Sequence, residues 1–140
     1  MSTQTPNAPK LPADRLKFRR PLADIISDLS KPVPERLLRH RVMTKERKTL
    51  AYIPWYQVAR LMDLYAPGWE GSVKQIQQIN GLVVVTYAVT VHAEEGCFTR
   101  EATGQEDLDK NFADAVCSAE QQAFKRACAR FGLGLDLYDD

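Results

Sequence analysis

Long apolar runs, paired cysteines and a glycine-rich phosphate loop are all missing from this 140-residue chain, and each absence removes a class of function. Nothing approaches ~18 consecutive apolar residues, so no segment reads as a membrane-spanning helix. The N-terminal MSTQTPNAPKLPADRLKFRR has no apolar stretch and does not read as a secretory signal. Cys97, Cys117 and Cys128 are an odd number without CxxC spacing, which argues against a disulfide framework or a zinc site and for a reducing compartment. Each is expected to act as a small buried apolar residue. His40 and His92 stand alone on separate segments and do not read as metal ligands. There is no GxxxxGK(S/T) motif, so nothing points to nucleotide hydrolysis. Gly132-Leu133-Gly134 follows a helix instead of opening one, and Ser118 lies inside a helix with no nucleophile elbow around it.

What is present is ordinary in bulk and uneven in distribution. The length suits one domain with its own core. The formal charge is +1, yet residues 1–60 carry 13 Lys or Arg against 5 Asp or Glu, and residues 61–140 carry 6 against 13. Separated signs allow one surface to attract a polyanion while the whole stays near neutral, unless folding mixes them again.

Residues 1–20 read as a disordered basic leader, with Pro6, Pro9 and Pro12 followed by Arg15, Lys17, Arg19 and Arg20. The folded domain is expected over 21–140. A short helix spans Leu22 to Leu29 and stops at Lys31-Pro32. Two strands, about 37–43 and 48–53, follow around the turn Thr44–Arg47, and Pro54 opens a second helix carrying Val58, Leu61, Met62 and Tyr65. Trp69 to Ile79 reads as a strand, and Asn80-Gly81 is a strong hairpin signal. The next strand, Leu82 to Ala93, puts Val83, Val85, Tyr87, Val89 and Val91 on one face. A turn at Glu94-Glu95-Gly96 leads to a third strand, Phe98 to Thr103, and then to an acidic loop, Gly104 to Lys110.

Asp109 is the expected N-cap of the final helix. Along that helix Phe112, Val116, Ala119, Ala123, Ala127 and Phe131 form an apolar stripe, and Gly132 is placed to end it in a left-handed conformation. The order is β-β-α-β-β-β-α, an α+β domain with helices packed on an antiparallel sheet.

Two basic constellations carry the chemistry: the run from Arg36 to Lys48, with Arg39 and Arg41 inside it, and the triplet Lys125, Arg126 and Arg130 on an alanine-rich helix. Charge runs on a random soluble protein more often just solvate a face. If the hairpin packs beside the helix, both sets line one groove able to take phosphates. Tyr52, Trp55 and Tyr56 would then offer stacking surfaces for unpaired bases. A metal-dependent nuclease would need clustered carboxylates near a lysine, for which Glu101, Glu106 and Lys110 are the best available and match no defined spacing. No cofactor and no metal site are expected. A structural oligomer whose basic face binds nothing specific is the bland alternative.

The segment Ala119-Glu120-Gln121-Gln122-Ala123-Phe124-Lys125-Arg126-Ala127, followed by Arg130-Phe131-Gly132-Leu133-Gly134, resembles the signature helix of the Rad fifty-two superfamily of single-strand annealing proteins. Arg41 before a hairpin, Tyr52-Ile53, a short helix, Gly68-Trp69 and Asn80-Gly81 occur upstream in that family's order, so the similarity covers about residues 22–138. The resemblance implies ATP-independent binding of single-stranded DNA and annealing of complementary strands in recombinational repair, by a ring or arc of identical subunits with a basic groove around the outside. It implies Arg41, Lys125 and Arg126 as the main DNA-binding residues, with Tyr52 ranked below them; Lys48, Arg39 and Arg130 join the candidate DNA-binding set from the two basic constellations. The alternative within the same resemblance is protection of 3′ DNA ends.

The sequence departs from the family in having Ala129 where a further arginine often stands, and Leu82 after Asn80-Gly81, which leaves only Lys110 as an approximate outer-site lysine. The expectation is a minimal bacterial, phage or organellar module without the family's C-terminal partner-binding region. A single-strand-binding protein or a recombinase is the expected kind of protein partner, and no membrane association is expected. The expected location is the nucleoid-bearing cytoplasm of a prokaryote, or an organelle or the nucleus of a eukaryote.

Overall fold

The computed structural model describes residues 19–43, 48–109 and 111–138. Helix α1 (Leu22–Leu29) starts after Pro21, buries Ile25 and Leu29 one turn apart, and ends before Lys31-Pro32. Strands β1 (Arg39–Met43) and β2 (Lys48–Tyr52) pair antiparallel as a separate two-stranded sheet. Helix α2 (Trp55–Tyr65) is entered through Pro54 and turns Val58 and Met62 into the core. Strands β3 (Glu70–Ile79), β4 (Leu82–Ala93) and β5 (Gly96–Asp107) form a three-stranded antiparallel meander. Helix α3 (Phe112–Ala129) lies across β4 and β5. The expected α+β order is therefore present, with α1 ahead of it.

Asn80 and Gly81 both adopt positive φ, which matches the twist of the β3–β4 hairpin and sets its register with Ile79 opposite Leu82. Val83, Val85, Val89 and Val91 are buried on the face of β4 that meets α3, as the alternation predicts. Two clusters fill the interior. One joins Val83 and Val85 to Ala115, Ala119 and Ala123. The other packs α1, α2 and β4 residues around Phe124, Ala127, Cys128 and Phe131.

The alanines let α3 approach the sheet backbone. At Gly104 on β5, a Cβ would stand 2.6 Å from the Ala123 amide nitrogen and closer still to the Ala119 carbonyl. Only glycine fits there. Gly132 ends α3 with positive φ, as expected.

Several expectations are corrected. The first four residues of the expected acidic loop are instead the last third of β5, because Gly104–Asp107 pair with Leu82–Val85 of β4. The N-cap of α3 is Asn111, whose side chain accepts a hydrogen bond from the Ala113 amide at 2.9 Å, and Asp109 lies outside the helix. Ala115, packed with Val83 and Val85, takes the buried place assigned to Phe112, which is half exposed. Cys128 is buried, whereas Cys97 and Cys117 are exposed. His40 is paired with Glu35 at 3.2 Å, and His92 with Glu70.

The leader up to residue 18, the turn Thr44–Arg47 and Lys110 lie outside the described residues. Arg20, placed at the leader's edge, is tied to the body. Its guanidinium bonds Asp28 and donates to the Tyr65 carbonyl at 2.8 Å, and its own carbonyl accepts from the Glu94 amide at 2.9 Å.

Candidate nucleic-acid interface

The β1–β2 hairpin does not join the main sheet. It stands beside α3, and an open groove of about 1030 Å³ separates the two. The hairpin wall presents Arg41, Leu50 and Tyr52, continued by Trp55 at the start of α2. The helix wall presents Ser118, Gln121, Gln122, Lys125 and Arg126, a set recurring by three and four residues and hence one stripe of α3. Buried Ala115, Ala119, Ala123 and Ala127 form the neighbouring stripe against the sheet and core. One helix thus divides its circumference between core and groove.

The register of the hairpin explains which of its cations matter. Arg39 lies opposite Tyr52 and Arg41 opposite Leu50, so Arg39, Arg41, Lys48 and Tyr52 occupy one face of the two-stranded sheet. Within that face Arg41 reaches diagonally to place its guanidinium 5.5 Å from the Tyr52 ring centre. From the opposite wall, the Lys125 ammonium stands 5.5 Å from the same ring centre and donates a 3.0 Å hydrogen bond to the Ile53 carbonyl. A tyrosine face flanked by two cations gains from the attraction of each to its ring.

Lys125 is half-buried, and its pKa is lowered, first by loss of solvent and then by the Arg41 charge. Two positive groups held close in a partly dry groove repel each other, a cost that binding an anion between them would relieve. Arg126 lines the groove beside Lys125 and bears on Tyr138, whose hydroxyl is pushed up by burial and drawn partly back by the Arg126 charge. The acidic lining residue among those described is Glu106, which accepts a 2.7 Å hydrogen bond from Ser118.

Arg41, Tyr52, Lys125 and Arg126 therefore converge, and the others do not. Arg39 shares the hairpin face but does not line the groove. Lys48 is on the same face by register, and its side chain lies outside the described ones. Arg130 sits about 140° around the helix from Lys125. It is the helix C-cap, exposed, and its carbonyl accepts a hydrogen bond from Arg100, whose guanidinium also covers Phe131 at 4.6 Å. Trp55, 46% exposed and lining the groove, is available for stacking. Sequence reasoning missed the groove's amide component, Gln105, Gln121 and Gln122, because glutamine carries no charge signal.

The carboxylates considered for metal chemistry are kept apart. Glu101 and Glu106 differ by an odd number of positions on the unbulged strand β5, so they point to opposite faces of the sheet. No group of three or more potential metal ligands forms among the described residues.

Residues 22–140 match the family model described as Rad52/22 family double-strand break repair protein. The chain belongs to this family. It is 44% identical over 124 residues to DNA repair RAD52-like protein 1, mitochondrial, of Arabidopsis thaliana, covering 86% of this chain and 69% of that protein. It is 43% identical over 124 residues to DNA repair RAD52-like protein 2, chloroplastic, from the same plant, covering 86% of this chain and 62% of that one. Both family relatives are organellar by name. A role in recombinational DNA repair follows from membership, and the matched region contains every residue of the groove. No helix among the described residues is long and apolar enough to cross a membrane.

Proposed function

We propose that this family member binds single-stranded DNA along the groove and anneals complementary strands without nucleotide hydrolysis, as a binding protein and not an enzyme. The observation that carries the reading is the convergence of Arg41 and Lys125 on the Tyr52 ring, each 5.5 Å from its centre. Arg41, Lys125 and Arg126 meet phosphates, and Tyr52 with Trp55 supplies apolar surface to sugars and bases. Because the contacts are with the backbone, binding is indifferent to sequence and steep in salt.

Assembly of identical subunits into a ring or arc belongs to the same proposal. Strand β3 supports it: all ten of its residues are exposed, its outer edge has no partner strand among the described residues, and Val73, Ile76 and Ile79 stand in solvent. An open edge of this length is covered in most proteins. Repeating one groove around an assembly multiplies modest contacts into firm binding.

The test is a salt titration of oligothymidylate binding, with annealing of complementary strands followed in chelator. Each of Arg41→Ala and Lys125→Ala is expected to reduce the logarithmic salt slope by about 0.7 for every phosphate that the variant no longer neutralises. Unchanged slopes would remove the groove from the DNA path. Annealing that chelator abolishes, or DNA cleavage with magnesium or manganese, would favour a nuclease. End protection without annealing would favour the 3′-end reading.

A further inference from the structure

The outward face of the sheet carries a nucleophile, a base and an orienting carboxylate that the groove does not use. Cys97 and His92 are direct partners across the β4–β5 hairpin, and the Cys97 sulfur lies 3.0 Å from His92 Nδ1. His92 Nε2 lies 2.6 Å from the Glu70 carboxylate at the start of β3. Gly104, an even-numbered residue of unbulged β5, touches α3, so odd-numbered Cys97 faces away from the helix. Cys97 is exposed, while the His92 side chain retains only 14% of its exposure.

We infer that Cys97 is a reactive thiol, with His92 as its base and Glu70 as the residue that positions that base, and that it takes up small disulfides by exchange. A carboxylate only accepts hydrogen bonds, so the proton on the Glu70 side is carried by His92 Nε2. In the neutral ring Nδ1 is then an acceptor, aimed at the Cys97 thiol. This is the nucleophile–base–orienter arrangement of activated thiols.

In the step itself, Cys97 Sγ attacks one sulfur of a disulfide such as oxidised glutathione. The S–S bond breaks and a Cys97 mixed disulfide forms. The thiol proton passes to His92 Nδ1 and on to the departing thiolate. Cys97 is oxidised and the released half of the reagent is reduced, so no further oxidant is needed.

The chain contains its own controls. Cys117 is exposed on α3, where its sulfur accepts a 3.5 Å hydrogen bond from the Gln121 side-chain amide, which cannot act as a base. Cys128 is buried, and burial pushes its thiol far up, so it stays inert while the fold is intact.

The experiment exposes the full-length protein to oxidised glutathione at neutral pH and follows each cysteine by peptide mass spectrometry. Cys97 is expected to react on the order of tenfold or more faster than Cys117, the gain that a positioned base supplies. His92→Asn should bring Cys97 to the Cys117 rate, and added imidazole should restore part of the difference. Glu70→Ala should slow Cys97, while Glu70→Gln, whose carbonyl still accepts from Nε2, should retain most of the rate. Continued protection of Cys128 shows that each variant is folded. Equal rates at Cys97 and Cys117, or a Cys97 rate that His92→Asn leaves unchanged, overturns the inference.

Discussion

Arg41 and Lys125 meet over one aromatic ring, each 5.5 Å from the centre of Tyr52. One comes from a detached hairpin and the other from the last helix, so the ring marks where two distant basic segments meet. The positive character of the groove comes from this meeting and not from the net charge of +1.

Replacing Tyr52 by leucine keeps an apolar wall and removes the ring that both cations face. Each cation–ring contact contributes about 0.5–1 kcal/mol at such sites. Single-strand affinity should therefore fall roughly fivefold to thirtyfold, while Tyr52→Phe, which keeps the ring, should bind nearly as well as the parent. Fluorescence anisotropy at fixed salt measures both.

The lowered pKa of Lys125 has a definite sign. A lysine whose folded pKa lies below its unfolded value costs stability while it is charged, and the cost is relieved as pH rises from the lowered value towards the ordinary 10.5. Lys125→Met should accordingly be as stable as the parent or more so at neutral pH, within about 1 kcal/mol, with the gap closing in the alkaline range. Single-strand affinity of the parent should fall over that same range as the ammonium is lost. Arg41→Ala, by removing the second cause of the shift, should move that fall to higher pH. Denaturant midpoints and binding isotherms across pH give the two curves.

Gly104→Ala tests the close approach of α3. A methyl group there meets the Ala119 and Ala123 backbone, which cannot rotate away as a side chain can. Overpacking of this kind costs about 1–3 kcal/mol. A lowered melting temperature is expected, together with weaker DNA binding, because the displaced helix carries Lys125 and Arg126.

The two tryptophans should report separately. Trp55 lines the groove and is 46% exposed, whereas Trp69 stacks on Phe124 at 5.6 Å and donates to Asp63 at 2.7 Å. Fluorescence of a Trp69→Phe variant should change on addition of oligothymidylate. That of a Trp55→Phe variant should stay constant.

Ile76→Lys places a charge on the open strand β3 at a position already 48% exposed. Stability of the subunit should stay within about 0.5 kcal/mol, as for other surface changes. If β3 is where subunits meet, light scattering should show a smaller assembly. An unchanged mass would move the subunit interface elsewhere.

Legibility in the sequence followed the range of the interaction. The Asn80-Gly81 turn, the alternation of Val83 to Val91 and the proline-bounded helices depend on neighbours a few residues away, and they stand where local pattern puts them. The far third of β5 did not, because Gly104–Asp107 look like loop until β4 supplies ladder partners. Asn111 took the cap from Asp109 because α3 begins only at Phe112, a boundary that periodicity leaves loose by a few residues.

By itself, then, the sequence determined the order of elements, the small-residue helix that can lie against a sheet backbone, and the two basic segments able to meet phosphates. Local propensity and side-chain period are properties of the chain and need no fold to be read. Tertiary structure decided which charges act together. Docking of the hairpin beside α3 joined Arg41 to Lys125 over Tyr52, and the end of the helix at Ala129 left Arg130 as its C-cap, outside the groove lining. Cross-strand register did the same on the outer face, bringing solitary His92 between Cys97 and Glu70. A hydrogen bond or a cation–ring contact is made over a few ångströms in space, and only the folded register fixes which residues stand that close.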